Sequence, residues 1–217
     1  MLDLLLPQRC VVCGVRGTQL CRTCLWQLPR IELPLCERCG APTAWPVRRC
    51  HECAGRRLAF AKARAAVVYD DAVRSFVAAW KERALRRLAA AAVEIVLEVV
   101  AHPGADAVVF VPPDPDRGLE RGHHPPRQLA QGLAGHWQLP LAAPLHRRAT
   151  KRQRGLSRAE RRRNVAGVFA ARGSVPRKLV LVDDVFTSGA TANAAASALR
   201  KAGARRVEVV TFARVVR

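Results

Sequence analysis

The sequence predicts an α/β protein, a parallel sheet flanked by helices, preceded by a small metal-bound module. Three observations carry that expectation. All eight cysteines of the 217-residue chain lie before residue 54. From about residue 60 strand-like and helix-like runs alternate, which implies crossover connections and parallel strands. One apolar run, VLVDDVFTSGAT at residues 180–191, breaks into two adjacent carboxylates and then a turn of small residues.

The elements follow in order. Ala63 to Tyr69 is expected as a strand, and Val73, Phe76, Val77, Trp80, Leu85 and Leu88 recur at helical spacing into a second run ending near Val100. AVVFVP (107–112) reads as a buried strand and Gln128 to Trp137 as a helix. KLVLV (178–182) is a strand, Ala190 to Ala202 a helix closed by Gly203, and RVEVVTF (206–212) the last strand. Two domains are expected, residues 1–58 and 59–217.

Half of the residues are apolar, enough for a substantial core, so disorder is not the default. The net charge is +20, from 37 Lys and Arg against 17 Asp and Glu, and such a surface attracts polyanions: phosphates, nucleic acid or anionic lipid. Met1 to Pro7 does not read as a signal peptide, and Glu94 and Glu98 interrupt the longest apolar stretch, so no membrane insertion and a cytoplasmic location are expected.

In a reducing compartment eight cysteines argue for metal over disulfides. The pairs are Cys10/Cys13, Cys21/Cys24, Cys36/Cys39 and Cys50/Cys53, each a Cys-x-x-Cys knuckle. Two knuckles complete a tetrahedral sulfur cage suited to zinc, so two structural Zn2+ sites are expected. Sequential pairing leaves spacers of seven and ten residues, and a cross-braced pairing of first knuckle with third stays open. Disulfides and an iron–sulfur cluster are the rival readings, and the spacings resemble ribbons more than ferredoxins. Gly14 and Gly40 follow their knuckles, where a positive φ lets amides face sulfur. His51 is expected to be a bystander.

The acid pair, Asp183 and Asp184, sits where parallel sheets bind ligands, outside the carboxyl ends of the strands. Thr187, Ser188, Gly189, Ala190 and Thr191 offer amides and hydroxyls at a helix N-terminus, an arrangement that holds phosphate. Strand-end acids capping a helix are the plainer reading, but it explains one carboxylate better than two. A Walker loop is excluded, because no Gly-Lys-Ser/Thr follows. Nine Lys or Arg residues and one acid, Glu160, lie between Arg147 and Arg163; the run is either a solvated face or a hood that closes over a phosphate or tracks a nucleic-acid backbone. Trp26 and Trp45 are expected to be exposed stacking surfaces, and Trp80 and Trp137 core residues.

These stretches together resemble the ComF (ComFC) branch of the type I phosphoribosyltransferases. The resemblance rests on the knuckles, VPPDPDRGLERG (111–122), TKRQRGLSRAERRRNVAGVF (150–169), VLVDDVFTSGAT and AGARRVEVVTFAR (202–214), over nearly the full length. It implies a phosphoribosyltransferase-like sheet with phosphoribosyl pyrophosphate (PRPP) as ligand and Mg2+ as companion ion. Asp183 and Asp184 would grip the ribose hydroxyls as the catalytic acids and the turn at 187–191 the 5-phosphate; apart from the resemblance, Arg161, Arg162 and Arg163 of the basic run are expected to contact phosphate as part of the hood. It also implies a role in DNA uptake for natural transformation, with single-stranded DNA and competence helicase or recombination proteins as partners. A transferase acting on an unidentified nitrogen acceptor is the alternative, and a zinc-ribbon nucleic-acid binder with a vestigial acid pair the third reading. One departure stands out: the family reads Arg-Gly-Phe-Asn-Gln where this chain has Arg121-Gly122-His123-His124-Pro125, and Pro125 is expected to delay the next helix.

Overall fold

The computed structural model describes residues 8–83, 85, 87–113, 123–147 and 167–216. After a short helix α1 (Arg22–Gln27) in the cysteine-rich module come β1 (Lys62–Val68), α2 (Asp71–Glu82), α3 (Leu88–Val99) and β2 (Ala107–Phe110). There follow α4 (Pro125–His136), β3 (Leu141–Ala142), β4 (Leu145–Arg147), β5 (Phe169–Ala171), β6 (Lys178–Phe186), α5 (Ala190–Lys201) and β7 (Arg206–Arg214). Five strands form one sheet in the order β1-β7-β6-β2-β3, and every pair in it is parallel. β4 and β5 make a separate antiparallel pair. The α/β class expected from the sequence is the architecture found.

Parallel strands covered on both faces run largely apolar, and β7 is buried from Val207 to Arg214, with Glu208, Thr211 and Arg214 as its buried polar residues. On one face α2, α3 and α4 pack around Trp80, Phe76, Ile95 and Leu129. Phe76 stacks on Phe212 at 4.7 Å and Trp80 meets Phe212 edge-on at 6.2 Å, contacts worth about 0.5–1.5 kcal/mol each beyond area burial. On the other face α5 lays Ala192, Ala195, Ala196 and Leu199 against Leu179, Leu181 and Val209. Trp137 joins the first core, as expected.

Three boundaries differ from expectation. The long helical run breaks at Arg83 into α2 and α3; α2 itself starts where Asp70 accepts a hydrogen bond from Val73 N at 2.8 Å. Pro125 does not delay α4 but opens it, because proline at the first helical position gives up an N–H that has no intrahelical partner anyway. β6 does not stop at Val182: its pairing with β7 continues through Asp183, Val185 and Phe186, while its pairing with β2 ends at Val182.

β1 is an edge of the sheet, and the cysteine-rich module covers it. Ile31 N donates to Ala66 O at 2.8 Å, Val68 N to Pro29 O at 2.9 Å and Ala63 N to Arg38 O at 2.9 Å. The module thus satisfies backbone groups that would otherwise be open to pairing with another chain.

Candidate functional site

The cysteines form two groups, Cys10/Cys13/Cys21/Cys24 and Cys36/Cys39/Cys50/Cys53, with all four sulfurs of each within 4.8 Å of one another. That is the sequential pairing; the cross-braced alternative is set aside. Sulfur separations of 3.7 Å (Cys13–Cys21), 3.6 Å (Cys36–Cys53), 3.4 Å (Cys39–Cys50) and 4.0 Å (Cys50–Cys53) are far longer than a disulfide and lie around the edge of about 3.8 Å that four Zn–S bonds of about 2.3 Å impose on a tetrahedron. Burial works against ionisation of Cys10 and Cys36, but backbone N–H donors outweigh it, from Cys13 and Cys21 in one case and Cys39 and Cys50 in the other. They hold these thiols down to about 6 and about 7. Gly14 and Gly40 have φ of 77° and 69°, as the knuckles require. The donor set fits structural zinc at both sites, and His51 belongs to neither group.

The acid pair stands on β6 just past the point where its pairing with β2 ends, at the carboxyl edge of the sheet. Here a cleft of about 320 Å3 is lined by Asp183, Asp184, Thr187 and Thr191 together with Lys81, Pro112, Pro113, His123, His124 and Arg147. Ser188, Gly189 and Ala190 carry the backbone between the two threonines. Gly189 is the N-cap of α5 at φ 72°, and Ser188 Oγ accepts from Ala190 N at 3.3 Å.

The two acids have different surroundings. Asp184 is buried and paired with Lys81 Nζ at 2.7 Å. Burial, and then the adjacent Asp184 charge, push the Asp183 carboxyl up to about 8; the Asp184 N–H that it accepts at 3.0 Å, Lys81 and Arg147 only partly offset this. Two like charges at one strand end resist joint ionisation, and a divalent cation or a set of hydroxyl donors relieves that resistance.

Lys81 and the histidines give no sequence signal of a role. Lys81 is simply the last-turn residue after buried Trp80, and only the crossing of α2 over the sheet brings it to Asp184. His123 Nε2–H donates to the Trp80 carbonyl at 2.6 Å, which ties the start of α4 to the end of α2. Burial drives His124 down to about 4, so it is neutral near pH 7; its ring meets Phe110 edge-on at 5.7 Å, and its buried Nδ1 has no partner among the described residues. Arg161, Arg162 and Arg163 lie outside the described residues, as does the basic run from residue 148 onward. Trp26 and Trp45, at 76% and 68% exposure, stand out from the ribbon surface as expected.

Gly189 yields a test of the turn. A Cβ there would lie 2.5 Å from Phe186 Cζ, and the left-handed backbone alone costs a larger residue about 1–2 kcal/mol. Gly189→Ala is expected to keep the sheet, judged by circular dichroism, while weakening binding of a sugar phosphate at least about tenfold.

Comparison with known proteins agrees with this organisation. Residues 1–54 match the double zinc ribbon domain. Over 223 aligned residues the chain is 27% identical to competence protein F of Haemophilus influenzae, covering 95% of this chain and 96% of the relative. It is 29% identical to competence protein ComFC of Streptococcus pneumoniae, covering 70% and 67%, and 28% identical to the DNA utilization protein YhgH of Escherichia coli K12, covering 91% of each. Among solved structures, the glutamine PRPP amidotransferase of B. subtilis aligns at a TM-score of 0.38 and 25% identity, over 55% of this chain and 25% of its own. Orotate phosphoribosyltransferase from Aeropyrum pernix aligns at 0.37 and 22% identity, over 68% and 67%. With relatives along almost its whole length and a double zinc ribbon at its head, the chain is similar to the competence proteins F and ComFC and to the DNA utilization protein YhgH.

Proposed function

We propose that the chain binds PRPP with Mg2+ in the cleft at the end of β6 and holds single-stranded DNA on its ribbon and basic surface, in the cytoplasmic handling of DNA taken up for transformation. One observation carries the reading: two carboxylates and the two ends of a small-residue turn, Thr187 and Thr191, line one cleft at the carboxyl edge of a parallel sheet. Asp183 and Asp184 accept from the ribose 2- and 3-hydroxyls, and Thr187 to Thr191 surround the 5-phosphate at the positive end of α5. Mg2+ supplies charge compensation for the diphosphate when bound. Lys81, which holds Asp184 in the free protein, and Arg147 add positive charge to the cleft. The division into residues 1–58 and 59–217 is part of this proposal, the ribbon carrying exposed Trp26 and Trp45 for base stacking. The relatives' names, which speak of competence and DNA utilization, support the DNA side of the reading.

Calorimetry of PRPP with Mg2+, with and without a single-stranded oligonucleotide, tests it. Binding of both ligands with altered affinity for one in the presence of the other is expected, because linkage is reciprocal. No heat from PRPP under either condition overturns it. Release of diphosphate on adding nucleobases would instead make the chain a transferase.

Oligonucleotide affinity is expected to fall steeply with salt, as phosphate contacts require. Trp45→Ala, losing one stacked base, is expected to weaken it by about 1–3 kcal/mol. Arg161→Ala, Arg162→Ala and Arg163→Ala together should weaken it further and flatten the salt slope. Fluorescence anisotropy across a salt series reads both; an unchanged slope rejects the basic run as the contact.

A further inference from the structure

We propose that the second cysteine cage positions the phosphate turn, through Arg214 and Arg56, so that metal held at Cys36/Cys39/Cys50/Cys53 and phosphate bound at 187–191 stabilise each other. This rests on the reading of the turn as a phosphate site. Cage and turn are separated by more than 130 residues of sequence, yet among the described residues two arginines connect them, and a third contact fastens the segment after the cage to the helix that follows the turn.

The first link is Arg214, the last residue of β7, only 1% exposed. Its Nη1 donates to the Cys39 carbonyl at 2.7 Å, and its Nη2 donates to Glu52 Oε2 at 2.6 Å and faces Cys39 Sγ at 3.8 Å. Glu52 lies inside the last knuckle, between Cys50 and Cys53. The same guanidinium lies over the Phe186 ring at 4.8 Å, and that ring is the surface on which Gly189 rests. A buried guanidinium needs compensating anions, and a zinc ion with four thiolates is net anionic. The loaded cage thus helps to hold Arg214, Arg214 holds Phe186, and Phe186 sets the height of the turn.

The second link is Arg56. Its Nη1 donates to the Glu52 carbonyl at 3.3 Å and its Nη2 to the Ser188 carbonyl at 2.8 Å, so one side chain spans knuckle and turn. A cation on the Ser188 carbonyl also polarises the peptide whose other end is the Gly189 N–H, and makes that N–H a better donor to an anion. The third link is Asn193 in the first turn of α5, whose Oδ1 accepts from Ala59 N at 2.7 Å. In a chain where the ribbon served folding alone, no contact would need to end on the turn itself.

The test uses the full chain. PRPP with Mg2+ is titrated into the unaltered protein, Glu52→Gln and Arg56→Ala, with zinc content and melting temperature measured for each. Both variants are expected to keep two zinc ions and to bind PRPP about tenfold more weakly, within the usual range of coupling between sites. The reciprocal readout is zinc release to a chromogenic chelator: PRPP is expected to slow loss of one of the two ions in the unaltered protein, and that protection disappears in Arg56→Ala. Ordinary structural damage would lower the melting temperature without removing protection selectively. Arg56 is exposed and ligates no metal, so Arg56→Ala carries the test where Glu52→Gln sheds zinc. Unaltered PRPP affinity in Arg56→Ala, with no protection of zinc by PRPP, overturns the coupling. Absence of PRPP binding by the unaltered protein is a separate result, seen before any variant is made, and it removes the phosphate reading together with the coupling built on it.

Discussion

Asp183→Asn is expected to stabilise the free protein and to abolish PRPP binding in the same molecule. The carboxyl has an ordinary value of 3.8 and is pushed to about 8 by burial and by Asp184. A group whose folded value lies above its unfolded one contributes stability that is full below about pH 3.8, declines as pH rises, and is lost above about pH 8. Near neutrality the unaltered protein is therefore carrying an acid that the fold resists ionising. Asparagine keeps the size and the acceptor for the Asp184 N–H without the charge. With a discount for the partly open cleft, the gain is about 1–2 kcal/mol, or a few degrees in melting temperature for a chain of this size. It is expected to grow from pH 4 to pH 8, which thermal melts across that range would record. In binding, the neutral side chain cannot balance a cation or accept strongly from ribose hydroxyls, so calorimetric heat should vanish. PRPP binding to the unaltered protein is expected to tighten as pH rises towards 8 and to release a proton. If Asp183→Asn melted lower than the parent at pH 8 and still bound PRPP, the acid would be a structural cap and the cleft would lose its functional reading. Asp184→Asn should behave oppositely in stability, because it leaves Lys81 without its 2.7 Å partner.

Stripping zinc from the second cage is expected to have the largest effect on stability. That part of the ribbon has almost no apolar core of its own: its buried cluster is the four cysteines and Ala41, with Val47 and Leu58 partly covering it. So little area cannot offset the entropy of ordering the segment, and structural zinc supplies about 10–16 kcal/mol in comparable small sites. Cys53→Ser, at a fully buried ligand, should therefore unfold the segment, and the loss should reach the sheet. Arg38 would no longer cover Ala63 N on the edge of β1, and Arg214 would lose its Cys39 and Glu52 partners. Scanning calorimetry should show a melting temperature lower by more than about 10 °C, and hydrogen exchange should show fast amides in residues 36–58. A metal-free protein melting with the parent would mean the ribbon is held by packing that the buried cluster does not reveal.

Much of this was legible in the residues, and for identifiable reasons. Cys-x-x-Cys knuckles and their glycines are local: the turn geometry is written within four residues, so the two cages could be expected without any tertiary information. Alternating buried strands and amphipathic helices likewise report their own burial through periodicity, which is why β1, β2, β6, β7 and the core positions of Trp80 and Trp137 were expected. The short strands β3, β4 and β5, at two or three residues each, carry no period to detect.

By itself the sequence determined the class, the ligand sets of both cages up to their pairing, and the placing of an acid pair ahead of a small-residue turn. Only the tertiary structure decided that the cages pair sequentially, that β6 runs on past the acids while β2 stops short of them, that Lys81 reaches Asp184, and that Arg214 and Arg56 connect a knuckle to the turn. The division has a physical cause. Knuckles, turns and periodic faces are set by neighbours a few residues apart, whereas the Lys81–Asp184 and Arg56–Ser188 contacts join residues more than a hundred positions apart, through the order in which strands enter the sheet.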